Sequence, residues 1–461
     1  MHRFTVGRIA EAVGGVLRQG DGQLGFDRVT TDSRKVAAGS LFVPLRGASF
    51  DGHDFLEQAV AAGAGGLLVD RATGWLPEDI PVVVVEDTLG ALQDLAAYNR
   101  EMCNIPVVGI TGSSGKTTTK DLLAGILSTR WRTVKTPENY NNEIGLPLTL
   151  LELDEQSEIG VAEMGMRGLG QIQLLCRIAK PTVAMITNIG EAHMELLGSV
   201  DNIARAKGEI LDQIPESGFA LLHGASAYIR REAKRCRGRV IYFGFGEDCE
   251  ARAVDLSLTP RGSTFTVVYG GCREEYSLAL PGEHNVLNAL AASVVCRELG
   301  FSPQEIARGL GQVAISAKRL DIQEVNGISI IDDTYNANPA SVKGALQVLQ
   351  QVAQDRRTIA VLGDMQELGD RTREGHLEVG GEAARLGINL LVAVGDKARH
   401  IAQGAGESGM ADARISHCAN NEEASALLKD MLRPGDVVLV KGSRSMGMEA
   451  IVAALLQFKC L

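Results

Sequence analysis

Short apolar runs recur along the chain and alternate with stretches long enough for helices. Ser40–Pro44, Gly65–Val69 and Pro81–Val85 predict strands, and Asp54–Ala62 a short helix. Asp87 or Thr88 caps a helix predicted through Arg100, with Leu89, Leu92, Leu95 and Ala96 on one face. Further strands are predicted at Ile105–Ile110, Ile159–Ala162, Val183–Thr187 and Phe219–Leu222, with helices over Thr117–Leu127 and Asn202–Ile214 between them. Such alternation implies a mostly parallel sheet covered by helices on both faces. Val254–Leu280 instead alternates residue by residue, as in Thr264–Tyr269, and predicts an antiparallel β insertion before an alanine-rich helix over His284–Leu299. Ile328–Ile331, Thr358–Leu362, Leu390–Val394 and Val437–Val440 predict a second doubly wound sheet.

The expected fold is therefore α/β in three domains. A small N-terminal α/β domain spans 1–85, a central doubly wound domain 86–313, and a C-terminal Rossmann-like domain 314–461. The length of 461 residues suits three domains at about 150 residues each. Glycine is abundant, 53 of 461, while aromatic residues are only 4 %, which favours tight strand-to-helix turns over a platform for stacking bases. The net charge of −11 argues against broad binding of nucleic acid or anionic membrane, though not against a local phosphate site. The eight cysteines form no C-x-x-C pair, and Met1–Gly15 lacks the apolar core of a signal peptide. A cytoplasmic protein with reduced thiols is expected.

The strongest chemical motif follows the strand at Ile105–Ile110. In Gly112-Ser113-Ser114-Gly115-Lys116-Thr117-Thr118, the glycines let backbone N–H groups curl around phosphate oxygens at the positive end of the next helix. Lys116 supplies a point charge to the phosphates, and Thr117 a hydroxyl for Mg²⁺. The strict P-loop spacing asks for glycine at 110, where Ile110 stands, with Gly109 one place early. Glu163 ends the strand at Ile159–Ala162, where it is either a cation ligand or a solvated strand-end acid. His193 follows the next strand; a lone histidine is more often structural than a ligand. Lys207 reads on its own as a surface lysine.

With these motifs in place the whole chain resembles the Mur ligases, the ATP-dependent amide-forming enzymes of peptidoglycan synthesis. Thr111–Thr118 is similar to the family's T-G-x-x-G-K-T-T, which accounts for the departure at 110. Ala162-Glu163-Met164-Gly165 and Thr187–His193 match the segments carrying its metal-binding Glu and His. The resemblance implies ATP and two Mg²⁺ ions, one held by Thr117 and Glu163, the other by His193 and a carbamylated Lys207. It also implies that Asn288, in Gly282–Asn288, contacts adenine, and that Arg319 and Asp333 are the C-terminal arginine and the ribose-binding aspartate.

Other segments resemble the D-alanyl-D-alanine-adding branch. These are Asn139–Thr149, Asp333–Ser341, Leu362–Gly369 and Lys441–Arg444, while the D-N-P-R string of the diaminopimelate-adding branch is absent. Thr31–Arg34, Gly39–Pro44 and Gly47–His53 resemble the uridine-diphosphate-binding N-terminal domain. The resemblance thus implies two substrates, UDP-N-acetylmuramoyl-tripeptide and D-alanyl-D-alanine, and a monomeric enzyme. Ser33, Arg34, Gly47, Asn141, Asn142 and Arg444 are the expected substrate contacts, Arg444 as a clamp for the dipeptide carboxylate. The rival readings are a diaminopimelate- or lysine-adding ligase, a folylpolyglutamate synthase, and a P-loop switch or motor. No Asn-Lys pair occurs, so the guanine-reading N-K-x-D of GTPases is absent.

Overall fold

The computed structural model describes residues 1–70, 75–313 and 318–457. The expected start of the third domain at Ala314, and Cys460, lie outside the described residues.

Three sheets organise the chain. The N-terminal sheet has five strands, in which Val29–Thr30, Leu41–Phe42, Gly66–Asp70 and Val82–Val85 run parallel and Val16–Gln19 adds an antiparallel edge. The central sheet has nine strands. Its parallel part places Val107–Thr111 between Ile159–Glu163 and Val183–Ile186. Thr133–Lys135 and Arg239–Gly244, too polar or too mixed to stand out in the sequence, belong to the same sheet. The C-terminal sheet has six strands, five of them parallel, with Asp321–Val325 antiparallel at one edge and Ile415–Cys418 at the other.

The expected antiparallel β insertion is present: the strands Ala251–Thr259, Gly262–Tyr269 and Cys272–Leu278 pair antiparallel and extend the central sheet, because Phe243 and Gly244 pair with Ala251 and Arg252. Their inward side chains, Ala253, Phe265, Val267 and Tyr276, join the apolar core on one face of that sheet.

Both faces of the central and C-terminal sheets are buried, as near-continuous apolar strands require. The core on one face of the central sheet runs without a break into the N-terminal sheet. The helix Thr88–Met102 bridges the two. Asp87 caps it by accepting from the Leu89 and Gly90 N–H groups. Further along, Asn99 donates to the carbonyls of Leu150 and Leu153, and Arg100 to that of Ala179. Seven cysteines, all those described, are free thiols. No described helix is long and apolar enough to cross a membrane.

Candidate active site

In open parallel sheets, ligands bind beyond the carboxyl ends of the strands. Here three adjacent strands end at the same place: Val107–Thr111 runs into the glycine-rich loop, Ile159–Glu163 ends on Glu163, and Val183–Ile186 leads into Thr187–His193. The residues singled out in the sequence therefore converge because their strands are neighbours.

Two glycines of the loop are dictated by geometry. Gly115 has φ +79°, and a Cβ there would lie 2.6 Å from Asn288 Oδ1. At Gly112 a Cβ would overlap the Thr187 hydroxyl. Gly109, by contrast, lies inside the buried strand, where a Cβ would press on Ile210; its role is packing. The loop is fastened to Thr187–Gly190. Ser113 Oγ donates to the Gly190 carbonyl (3.1 Å), Asn188 Oδ1 accepts from the Ser114 N–H (2.9 Å), and Thr187 Oγ1 donates to the Ser114 carbonyl (2.6 Å). Lys116 Nζ donates to the Gly112 carbonyl at 2.7 Å, curling over the loop where an anion would sit.

Lys207 is no surface residue. Its side chain is buried and Nζ donates to the same Gly112 carbonyl at 3.1 Å. Burial holds its pKa well below the usual lysine range, and the neighbouring Lys116 charge lowers it further. Burial also lowers the pKa of Lys116.

Glu163 is 2 % exposed. Asn141 Nδ2 donates to its Oε1 at 2.8 Å, whereas Oε2 is buried without a hydrogen-bond partner among the described residues. Lys120 Nζ lies 3.8 Å from that oxygen and 3.7 Å from Asp121, which in turn accepts from Lys135 at 2.7 Å. Lys120 was missed in the sequence. The available signal was its position one helical turn after Lys116, on a helix that is buried almost throughout. Asn141, expected at substrate, is thus first a partner of Glu163. Asn142 Oδ1 accepts from the Gly145 N–H at 2.9 Å, at the start of the short helix Gly145–Leu150.

A cavity of about 1030 Å³ opens above these groups, between the central and C-terminal sheets. It collects the loop from Ser113 to Thr118 with Asn141, Asn142, Glu163, His193 and Asn288 from the central part. The C-terminal part contributes Arg319, Asp333 and Arg444. Asn288 Oδ1 accepts from Thr119 Oγ1 at 3.2 Å, which joins the expected adenine segment to the loop helix. Arg319 stacks 4.0 Å over Tyr335, its Nε buried without a hydrogen-bond partner among the described residues. Asp333 Oδ2 is held by the buried Lys441 at 2.6 Å. Arg444 is exposed and paired with Glu449 at 2.7 Å. Across the domain gap, His193 Nδ1 lies 2.7 Å from Glu367 Oε2, in close contact but without hydrogen-bond geometry, and the neighbouring imidazole holds the Glu367 carboxyl below its ordinary range.

Ser33, Arg34 and Gly47 do not line this cavity. They lie beside the N-terminal sheet, Ser33 and Arg34 in a short 3-10 turn after Val29–Thr30 and Gly47 in the loop after Leu41–Phe42. There Asp32 grips Arg34 through two bonds of 2.9 Å, and Ser33 Oγ donates to Gln58 Oε1 at 3.1 Å. Arg34 pulls the Asp32 carboxyl down to about 2.

Comparison with known families decides the identity. The profile "Mur ligase middle domain" matches residues 110–296, "Mur ligase, glutamate ligase domain" 318–444, and "Mur ligase family, catalytic domain" 26–100. The chain belongs to the Mur ligase family. A Bacillus subtilis (strain 168) protein named UDP-N-acetylmuramoyl-tripeptide--D-alanyl-D-alanine ligase is 40 % identical over 460 residues, 99 % of each chain. Among solved structures, this Mur ligase is similar to MurF from Acinetobacter baumannii, with TM-score 0.90, 35 % identity and 99 % of each chain covered. It is also similar to the MurF ligase of Thermotoga maritima in complex with ADP, with TM-score 0.82, 30 % identity and coverage of 93 % of this chain and 97 % of that one.

Within the Mur ligase site, one property of the donor set bears on metal binding. Among the described residues no three His, Cys, Asp or Glu side chains cluster closely enough to hold a cation by themselves. Thr117 and Glu163 Oε2, which makes no hydrogen bond among the described residues, offer hard oxygen donors of the kind Mg²⁺ takes, with room for phosphate oxygens to complete the shell. The residues fit such an ion bound together with a nucleotide.

Proposed function

We propose that this Mur ligase couples ATP cleavage to amide formation, joining D-alanyl-D-alanine to the tripeptide carboxylate of UDP-N-acetylmuramoyl-tripeptide. The observation that carries this reading is the convergence of Lys116, Glu163 and the Thr187–His193 segment under one cavity roofed by the C-terminal sheet, in a chain that matches D-alanyl-D-alanine-adding relatives from end to end.

The chemistry runs in two stages. A carboxylate oxygen of the tripeptide attacks the γ-phosphorus of ATP; the bond to the β,γ-bridging oxygen breaks, leaving an acyl phosphate and ADP. The amine of the dipeptide then attacks the acyl carbon, loses a proton, and phosphate departs with the former carboxylate oxygen. Two anions must meet in the first stage, so positive charge is the main requirement. Lys116 supplies it by turning from the Gly112 carbonyl toward the phosphates, and the loop N–H groups add their dipoles. Arg319 contributes a guanidinium whose Nε is buried, Asn288 reads the base, and Asp333, fixed by Lys441, takes the ribose.

Thr117 and Glu163 would hold one Mg²⁺, and His193 with Lys207 the other, and such ions would supply charge that offsets the repulsion between the facing anions. For this, the Lys207 amine would add carbon dioxide and lose a proton to become a carbamate, a step favoured by burial, which disfavours the charged ammonium. Asn141 keeps the Glu163 carboxylate turned so that Oε2 is the ligand atom. The roof over the cavity keeps water from the acyl phosphate.

Domains 1–85, 86–313 and 314–461 bind the uridine nucleotide, ATP and the dipeptide in turn, with Ser33, Arg34 and Gly47 at the first and Arg444 at the last. The enzyme acts as a cytoplasmic monomer. An acceptor screen tests the reading: ADP release from ATP and UDP-N-acetylmuramoyl-tripeptide should require D-alanyl-D-alanine. Turnover with free diaminopimelate in its place would overturn it.

A further inference from the structure

The segment Leu362–Gly369 resembles the D-alanyl-D-alanine-adding branch, yet nothing in the reaction so far uses it. It leaves the C-terminal strand Thr358–Gly363 and is held rigidly. The Ala398 N–H donates to Asp364 Oδ1 (2.7 Å), the Met365 N–H to His376 Nε2 (3.0 Å), and the Gln366 N–H to Ser443 Oγ (2.8 Å). At its tip Glu367 has φ +64°, a left-handed conformation that a non-glycine residue holds only when its surroundings impose it.

That tip rests on the histidine loop of the central domain. Besides the 2.7 Å contact between Glu367 Oε2 and His193 Nδ1, the Glu195 N–H donates to the Glu367 carbonyl at 3.0 Å. Gly369 packs so tightly that a Cβ there would sit 2.9 Å from Glu195 Cα. Arg371, held by Glu378 at 2.7 Å, reaches across to Glu191 at 3.1 Å. One ion pair, a close histidine–carboxylate contact, a backbone bond and a close approach thus all meet the loop that carries His193. A histidine that binds a cation through one nitrogen commonly donates its other N–H to a carboxylate, which fixes both tautomer and ring orientation.

We propose that Glu367 is the positioning residue of His193: docking of the C-terminal domain through Glu367 and Arg371 orients the ring with Nε2 as its ligand atom, so the cation site is complete only in the closed molecule. This rests on the reading of His193 as a cation ligand given above.

The test compares Glu367→Gln, Glu367→Ala, Arg371→Gln and His193→Ala in the full-length enzyme. Binding of Mn²⁺ to the ADP complex, followed by electron paramagnetic resonance, reads the cation site without turnover; small-angle scattering reads closure. Glu367→Gln should weaken Mn²⁺ binding and raise the Mg²⁺ requirement about tenfold, with the ATP KM nearly unchanged. Glu367→Ala and Arg371→Gln should also shift scattering toward the extended form, Arg371→Gln acting without touching the carboxylate. If His193→Ala weakens Mn²⁺ binding while both Glu367 variants bind it normally and stay compact, the positioning role is wrong and the ligand role stands. If His193→Ala itself binds Mn²⁺ normally, the ligand role falls, and this inference with it.

Discussion

Gly115 offers a sharp test of how the nucleotide loop is built. Changing Gly115→Ala forces an L side chain into φ +79°, at a cost of about 1 kcal/mol or somewhat more. The new Cβ would also lie 2.6 Å from Asn288 Oδ1, the atom that accepts from Thr119 Oγ1. Displacing Asn288 loses that bond, about 1 kcal/mol. The sum is about 2–3 kcal/mol, or roughly 30- to 150-fold in an equilibrium constant. Gly115 sits at a helix N-terminus on the cavity wall rather than in a core, so the loop can relax when empty and the cost should fall on nucleotide binding. Calorimetric titration with ADP and Mg²⁺ should show the loss in Kd, with melting temperature lowered by only a few degrees. An ADP affinity within threefold of the parent, at unchanged melting temperature, would refute both the strain and the contact with Asn288.

Removing the Asn141 amide by Asn141→Ala frees the Glu163 carboxylate to rotate; kcat should fall about tenfold and the Mg²⁺ requirement rise, since a bond to a charged group contributes about 1.5–3 kcal/mol. Lys441→Ala leaves Asp333 without its buried cation, which should cost about 3 kcal/mol of stability and raise the ATP KM, as thermal melts and initial rates will show. Lys207→Met should abolish turnover yet raise the melting temperature when carbon dioxide is excluded, because a buried amine is replaced by an apolar chain of similar length. The sign of its pH dependence follows from the lowered folded-state pKa. Between that pKa and the ordinary lysine value the unfolded chain binds more protons, so parent stability rises with pH and the advantage of Lys207→Met shrinks toward alkaline pH. An advantage that grows with pH would contradict the burial argument.

Strand–helix alternation and the loop Gly112–Thr118 were legible because their signals are local: a glycine-rich turn, a lysine, and a helix start within a few residues. Glu163 and His193 were legible only as strand-end residues, and their meaning depended on which strands lie side by side. Lys207 read as a surface residue because helical periodicity does not say which helix face a distant loop covers. The pairings Asn141–Glu163, Lys441–Asp333 and Glu367–His193 join residues far apart in the chain, and no periodicity encodes them. Gly109, one place out of the loop pattern, lies in the buried strand, where a Cβ would sit 3.0 Å from Ile210 Cδ1, about a hundred residues on. The antiparallel insertion 251–278 was legible because its alternation differs from that of the parallel strands. Only the pairing at Phe243 and Ala251 makes it one sheet with them.

The central claim is that ATP activates the tripeptide carboxylate in this site before the dipeptide arrives. It is tested most directly by labelling that carboxylate with heavy oxygen and letting the enzyme turn over with ATP, Mg²⁺ and D-alanyl-D-alanine. Each phosphate released should carry one labelled oxygen, and none should be labelled when the dipeptide is omitted. Unlabelled phosphate alongside normal amide formation would contradict the acyl-phosphate route and the placement of the two anions under Lys116.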